Sequence, residues 1–260
     1  GKHVLCEKPW TMHAGEAREV ADYASKHPEL RLACCGSRFR FGGASAAVAA
    51  AISEIGTLRH LRMRAAVGVP RPLSELPSWK SKLEVAGGGM AADWGVYELE
   101  WMRGMLGDAF DPVSVSAAFD FLGREGTEIE SGYHVWIRCG SGLTVDVSRL
   151  PEVGPHYHQL ELRGERGGID APFAPNELMP SVRLHRLASD GSLASEDLAD
   201  SRPDWPSILR GPFLDFAEAI ALDRTVAADA TSQIVVHRLL DGIYESARRG
   251  QSVELSPMDA

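Results

Sequence analysis

The sequence lacks several features that would assign a protein to a class directly. It has no apolar run near the roughly 18 residues that a membrane-spanning helix needs, and it has no block of five like charges. Its 260 residues carry 27 basic and 36 acidic side chains, a formal net charge of −9 with histidine neutral. Phosphate binding requires a clustered basic face. We therefore expect no nucleic-acid partner and no membrane partner.

Cysteine is also scarce, and no C-x-x-C pair occurs among the four that are present. They are Cys6, Cys34, Cys35 and Cys139. In a chain of this length, such usage is typical of buried, reduced thiols in a reducing compartment. We accordingly expect a cytoplasmic protein.

The histidines do not form a recognisable metal-binding pattern. His156 and His158 alternate along a predicted strand and so share a face, and His134 is a further histidine on a neighbouring strand. A structural or catalytic zinc site needs three or four protein ligands, and the sequence shows no pattern that would complete such a set around these histidines. We expect no metal, and we interpret His156 as a substrate contact at a strand edge.

A glycine-rich dinucleotide fingerprint is missing too. No G-x-G-x-x-G lies between a strand and a helix. The chain nevertheless opens with an apolar strand at 4–6, a helix ending near Lys26 and an apolar strand at 30–35, the pattern of a parallel βαβ unit. A strong helix follows at about 90–106. Short strand-like segments with tight turns then predict an antiparallel sheet; they are 113–119, 133–139, 143–150, 158–164, 167–171 and 182–187. Two helices, at about 213–221 and 230–249, are predicted to close the chain. The predicted class is α/β (α+β), a piece of parallel sheet followed by a large, mostly antiparallel sheet flanked by helices.

The tripeptide Glu7-Lys8-Pro9 is the first candidate site, because it ends the first predicted parallel strand. Ligands bind at the carboxyl ends of such strands. A lysine there can hydrogen-bond a ribose or substrate hydroxyl and, if partly desolvated, can help to move a proton. The alternative is a solvated lysine before a turn proline. The Lys8–Pro9 bond is one that can be cis.

The second candidate is the stretch GGGMAADWGVY at 87–97. Its glycines allow a ligand to approach the backbone closely. Asp93 and Tyr97 are four residues apart on a helix and share one face, which makes them a plausible proton-transfer pair. The pKa of free tyrosine is about 10, so Tyr97 would need a neighbouring cation such as Lys8 to act as a base. The alternative is an aspartate favoured by the helix dipole and a core tyrosine.

Two basic–aromatic patches form a third candidate. Trp79-Lys80 precedes the glycines, and Arg38 follows the second predicted parallel strand. Each could contact a phosphate or a sugar ring, although single patches of this kind more often serve surface packing.

Taken together, three motifs resemble those of one family. GKHVLCEKP at 1–9, GGGMAADWGVY at 87–97 and DGIYESARRGQSVEL at 241–255 are similar to the signatures of the glucose-fructose oxidoreductase / inositol dehydrogenase / rhizopine catabolism (Gfo/Idh/MocA) family of NAD(P)-dependent oxidoreductases. Their order and spacing agree over residues 1–255.

The resemblance implies a sugar or polyol dehydrogenase that uses NAD or NADP. Lys8 matches the lysine near the nicotinamide and the reacting hydroxyl, and Asp93 matches the aspartate that assists it. Tyr97 stands where most members have histidine, a departure shared with the glucose-fructose oxidoreductase branch. Together with the candidates named above, this gives two sets of expected contacts. The cofactor contacts are Glu7, Lys8, Pro9 and Arg38, and the substrate contacts are Trp79, Lys80 and His156.

The resemblance also bears on organisation. Residues 1–36 would be the C-terminal remnant of a Rossmann-type dinucleotide-binding domain, and 37–260 a substrate-binding and oligomerisation domain. Because family members carry their glycine-rich fingerprint before the first motif, we expect the chain to be N-terminally truncated. Sheet faces pack together in the family, which implies a homodimer or homotetramer. Two alternatives remain open: a non-catalytic binding or assembly protein, and a lyase or glycosidase that acts through transient oxidation.

Overall fold

The computed structural model describes residues 1–66, 68, 72–152, 155–175, 178–198, 202 and 204–256. The helices are α1 (Ala14–Lys26), α2 (Gly43–Ala51), α3 (Leu83–Ala86), α4 (Val96–Leu106), α5 (Trp205–Ala221) and α6 (Ala230–Arg249). The first strands are β1 (Val4–Cys6), β2 (Leu32–Cys34), β3 (Leu58–Ala66), β4 (Pro112–Asp120), β5 (Gly132–Cys139) and β6 (Thr144–Leu150). The remaining strands are β7 (Tyr157–Gly164), β8 (Gly167–Pro172), β9 (Arg183–Leu187), β10 (Leu193–Asp197) and β11 (Val253–Glu254).

The first unit is the predicted βαβ unit. β1 pairs with β2 in parallel, with Val4 opposite Leu32. α1 buries Ala17 and Ala21, which are four residues apart and so lie on one face of the helix. That face packs against α6 near the end of the chain. The parallel pair is therefore held by the C-terminal helix and is not an independent appendage.

The second unit is a nine-stranded sheet in the order β10-β9-β8-β7-β3-β6-β5-β4-β11. The β3–β6 pair is parallel, and all the other neighbouring pairs are antiparallel. This confirms the predicted fold class. β5 shows the reason, because its residues alternate between buried and exposed from His134 to Cys139, the period that a strand with one face on a core requires.

The core lies between the large sheet and the helices α2, α4 and α6. Ile137 and Val145 from the sheet are fully buried together with Met102 of α4 and Leu239 of α6. Each such side chain contributes roughly 1.5–3 kcal/mol of transfer free energy when it leaves water. The core thus fixes α4, and with it the segment that carries the second candidate motif.

α5 is longer than the pattern indicates, because only residues 213–221 are predicted as helical. It begins after Asp204, whose side chain accepts a hydrogen bond from the Ser207 backbone N–H at 2.8 Å. Pro206 lies in its first turn and Pro212 in its interior. The local sequence pattern also gives no sign of the peripheral strand β10, whereas β11 falls in the closing motif at 241–255. Within the described ranges, no helix is long and apolar enough to cross a membrane.

Candidate active site

Lys8 lies at the carboxyl end of β1, and the peptide bond that joins it to Pro9 is cis. Its ammonium group donates hydrogen bonds to both the backbone oxygen and Oδ1 of Asp93, which is 85 residues away in the sequence. The Lys8 side chain is only 13% exposed. The structure therefore joins the first and second candidate motifs in one site.

Asp93 is shared by two ammonium groups. Lys8 binds Oδ1, and Nζ of Lys80 donates to Oδ2 at 3.0 Å. Asp93 lies in a π-helical turn, Ala91–Gly95, that leads into α4. Short π segments inside helices are frequent at functional sites. The Asp93 carboxylate thus bridges two lysines, the largely buried Lys8 and the more exposed Lys80.

Burial and charge act in opposite directions on this pair. Burial is the largest influence on Lys8 and lowers its pKa, while the hydrogen bond and charge of Asp93 oppose that shift. For Asp93, burial alone would raise the pKa, but Lys8 and Lys80 outweigh it and hold the pKa below its usual range. Asp93 is therefore ionised at neutral pH. At a given pH, a larger fraction of Lys8 is uncharged than of an exposed lysine.

Tyr97 lies directly beside this pair. Lys8 Nζ and Arg38 Cζ each lie 4.9 Å from the centroid of its ring, while Phe39 and Trp94 pack against the ring edge-on at 5.2 and 5.6 Å between centroids. Burial raises the pKa of Tyr97 above its usual value, and the charge of Arg38 only partly offsets this. The neighbouring cations therefore do not bring the pKa of Tyr97 below its usual value.

Arg38 and Glu7 form the outer side of the site. Arg38 Nη2 lies 3.2 Å from Glu7 Oε2, and the buried Arg38 Nε has no hydrogen-bond partner among the described residues. The same holds within those residues for the buried indole N–H of Trp10, just after Pro9. These donors, at the end of a parallel strand, are the residues that could hold the polar end of a cofactor.

The predicted substrate contacts are divided. The Trp79 side chain is 51% exposed, and Lys80 Nζ lies 5.4 Å from its ring centroid. His156 is exposed, and a Cβ added to Gly68 would lie 2.6 Å from its Nε2. The described part of the chain shows no hydrogen bond or ion pair that joins His156 to Asp93. The geometry thus connects Trp79-Lys80 to the site but leaves His156 without a direct link.

A buried layer that the sequence analysis did not identify supports Trp94. Arg149 is fully buried, its Nη2 pairs with Glu98 Oε1 at 2.6 Å, and its guanidinium lies 4.4 Å from the Trp94 ring. His158 stacks on Trp94 at 5.6 Å, and burial, with the charge of Arg149, lowers its pKa to about 3. The available signal was an arginine at a core-facing position of β6. This layer fixes the residue that follows Asp93.

Metal binding has no geometric support in the described ranges. No group of three or more His, Cys, Asp or Glu side chains there could hold a metal ion.

Comparisons with known proteins find relatives of this chain. Residues 46–170 match the family model described as the GFO/IDH/MocA C-terminal domain. The chain is 30% identical over 168 residues to 1,5-anhydro-D-fructose reductase of Ensifer adhaerens, a match that covers 62% of this chain and 48% of that enzyme. It is 28% identical to D-xylose 1-dehydrogenase (NADP(+)) 2 of Haloferax volcanii, over 98% of this chain and 74% of that enzyme.

A solved structure shares the fold over the whole chain. Levoglucosan dehydrogenase in complex with NADH and L-sorbose superimposes with a TM-score of 0.81 at 20% identity, over 100% of this chain and 75% of that one. Over residues 46–170 the chain is similar to the C-terminal domain of the Gfo/Idh/MocA family. The matched region spans about half of the Ensifer reductase and about three quarters of the other two proteins.

Proposed function

We propose that the protein is an NAD(P)-dependent oxidoreductase that transfers hydride between a sugar or cyclitol carbinol and a nicotinamide cofactor. The observation that carries the proposal is the partly buried Lys8 ammonium on Asp93, at the carboxyl end of a parallel strand. The names of the relatives support the same class, since they include a sugar reductase and two sugar dehydrogenases.

The residues at the end of β1 fit the nicotinamide end of such a cofactor. Arg38 Nε and Trp10 Nε1 are buried donors that find no partner in the part of the chain that the structure describes, and Glu7 and Pro9 lie in the bend beside them. A bound nicotinamide supplies the acceptor or donor for the hydride. We assign Glu7, Lys8, Pro9 and Arg38 to holding it; NAD and NADP remain equally open.

Lys8 is the residue we assign to the hydroxyl proton. Burial lowers the pKa of Lys8, which raises the fraction of neutral amine at a given pH, and a neutral amine can take up a proton as a general base. Asp93 orients the amine through Oδ1 and stabilises it when protonated. Burial raises the pKa of Tyr97, so we assign it a different role from that of a base. Its hydroxyl would serve as a hydrogen-bond partner, and its ring would exclude water from the site.

The substrate would lie beyond this pair, against Trp79 and Lys80. An exposed indole offers an apolar face to a sugar ring, and the Lys80 ammonium can donate to a second hydroxyl. We keep His156 as a candidate substrate contact because its exposed side chain lies two residues from His158, which stacks on Trp94. We also keep the division of the chain at residues 36/37, and a reducing, cytoplasmic location, as proposals.

The open face of the large sheet is our proposed oligomer surface. A continuous cross-strand row runs over it through Trp136, Asp146, Arg62, Glu161 and Asp170. Trp136 is 43% exposed at the β5 end of this row, and its indole offers apolar area to a second copy of the same face. Sedimentation of the wild type and of Trp136→Ser tests it: a dimer or tetramer that the substitution weakens supports this face, and a monomer at every concentration contradicts it.

The enzymatic proposal is tested by turnover. The gene product as made in the cell is mixed with NAD⁺ or NADP⁺ and a panel of sugars and polyols, and absorbance of the reduced nicotinamide is followed. Lys8→Met should abolish turnover, while Lys26→Met, an exposed lysine at the end of α1, should not. Absence of both turnover and cofactor binding in the wild type would reject the proposal, and release of a cleaved glycoside would favour the lyase or glycosidase alternative.

A further inference from the structure

A buried carboxylate holds the backbone just before Asp93. Glu130 is fully buried in the loop that leads into β5. Its Oε2 accepts a hydrogen bond from the Gly89 N–H, and its Oε1 accepts one from the Ala91 N–H, both at 2.9 Å. The first N–H groups of a helix have no partner within the helix. Glu130 supplies two of those partners from a distant part of the chain.

Tyr244 of α6 completes this arrangement. Its hydroxyl donates to Glu130 Oε1 at 2.6 Å and accepts from the Gly89 N–H at 3.1 Å. The Glu130 backbone oxygen accepts from the Met90 N–H at 3.1 Å and from Arg124 Nη1 at 2.8 Å. Residues 89–91 are thus fixed from two directions, by the loop before β5 and by α6.

The glycines before Asp93 fit these two side chains. A Cβ on Gly89 would lie 2.2 Å from the Glu130 backbone oxygen, and a Cβ on Gly88 would lie 1.8 Å from the Tyr244 hydroxyl oxygen. Neither contact is possible for a real side chain. We predicted from the sequence that a ligand approaches the backbone of these glycines. At both positions the atoms that approach closely belong to the protein itself, Tyr244 at Gly88 and Glu130 at Gly89.

We propose that Glu130 is a positioning residue for the Lys8–Asp93 pair, and that Tyr244 assists it. Asp93 follows the clamped turn by two residues, and Lys8 binds its backbone oxygen as well as its carboxylate. A shift of the turn therefore moves both acceptors of Lys8 together. Displacements of about 1 Å are enough to reduce catalysis strongly. This inference rests on the proposed function, because it concerns the geometry of the same site.

The test measures Lys8 directly as well as turnover. Acetic anhydride labels lysines in the folded protein, and peptide mass spectrometry gives the rate at each one. Glu130→Gln replaces one acceptor oxygen by an amide donor that faces a backbone N–H. We expect Lys8 to be labelled roughly tenfold faster in this variant, the effect of losing one hydrogen bond to a charged group, with the exposed Lys2 unchanged. Tyr244→Phe should give a smaller change in the same direction, and it serves if Glu130→Gln does not fold.

A matched control separates positioning from stability. Ile169→Val shortens a fully buried side chain of β8, so it lowers stability without touching the turn. In Glu130→Gln, kcat should fall with little change in KM, and the pH profile of kcat should move. Ile169→Val should leave kcat, the pH profile and Lys8 labelling unchanged.

The outcomes are distinguishable. Unchanged Lys8 labelling in a folded Glu130→Gln variant overturns the inference, and so does an equal change in Ile169→Val. If the wild type neither turns over a sugar nor binds the cofactor, but Lys8 labelling responds to Glu130→Gln alone, the positioning role stands and the proposed function fails.

Discussion

Replacing Asp93 by asparagine removes the charge that two ammonium groups share and keeps the size of the side chain. Lys8 retains the backbone oxygen of Asp93 as a partner but loses the carboxylate. A hydrogen bond to a charged group contributes about 1.5–3 kcal/mol. Because the Asp93 side chain is 40% exposed, we take the lower value. A loss of about 1.5 kcal/mol in transition-state stabilisation corresponds to a decrease in kcat/KM on the order of tenfold.

The pH profile of the Asp93→Asn variant gives the sign of the effect. Burial lowers the pKa of Lys8 and Asp93 opposes that shift, so removing the carboxylate lowers the pKa of Lys8 further. If neutral Lys8 takes the hydroxyl proton, kcat/KM for oxidation rises with pH through this pKa. The rising limb should therefore move to lower pH. Asp22→Asn, at an exposed position of α1, is the control. A limb that stays in place or moves to higher pH would refute this reasoning.

Three further predictions concern stability. Gly89→Ala would bring a Cβ to 2.2 Å from the Glu130 backbone oxygen, so denaturant unfolding should show a loss of about 1–3 kcal/mol. Glu98→Gln leaves the fully buried Arg149 without its counter-charge, and calorimetry should show a loss of roughly 3–5 kcal/mol. Burial lowers the pKa of His237 from 6.5 to about 4, so protonation favours the unfolded state between these values. The free energy of unfolding should fall as pH drops through that window, and His237→Gln should flatten the fall in denaturant titrations at several pH values.

Most of the fold follows from local patterns, and its exceptions have physical causes. The alternation in β5 and the alanine spacing in α1 are visible in the sequence because one side of each element meets the core. α5 was underestimated because Pro212 lies inside it and Pro206 lies in its first turn. Proline usually ends a helix, and only the packed structure shows that this helix continues.

Some features of the site were likewise predicted from the sequence, and others were not. The Lys8–Asp93 contact was predicted only through the family motifs, since no local pattern joins residues 85 apart in the sequence. We predicted a cation beside Tyr97, and Lys8 lies there. The burial that raises the pKa of Tyr97 above its usual value is a property of the tertiary packing. Arg149 and Glu130 were not identified, because a charged residue in or near a strand usually faces solvent. Their burial depends on partners from other elements.

The most direct test of the account is the path of the hydrogen. A sugar or polyol that the wild type oxidises is labelled with deuterium at the reacting carbinol carbon, and the nicotinamide is analysed by mass spectrometry after one turnover. The account predicts that wild type places deuterium in the cofactor, and that Lys8→Met transfers no label. Label transfer at the wild-type rate by Lys8→Met would contradict it.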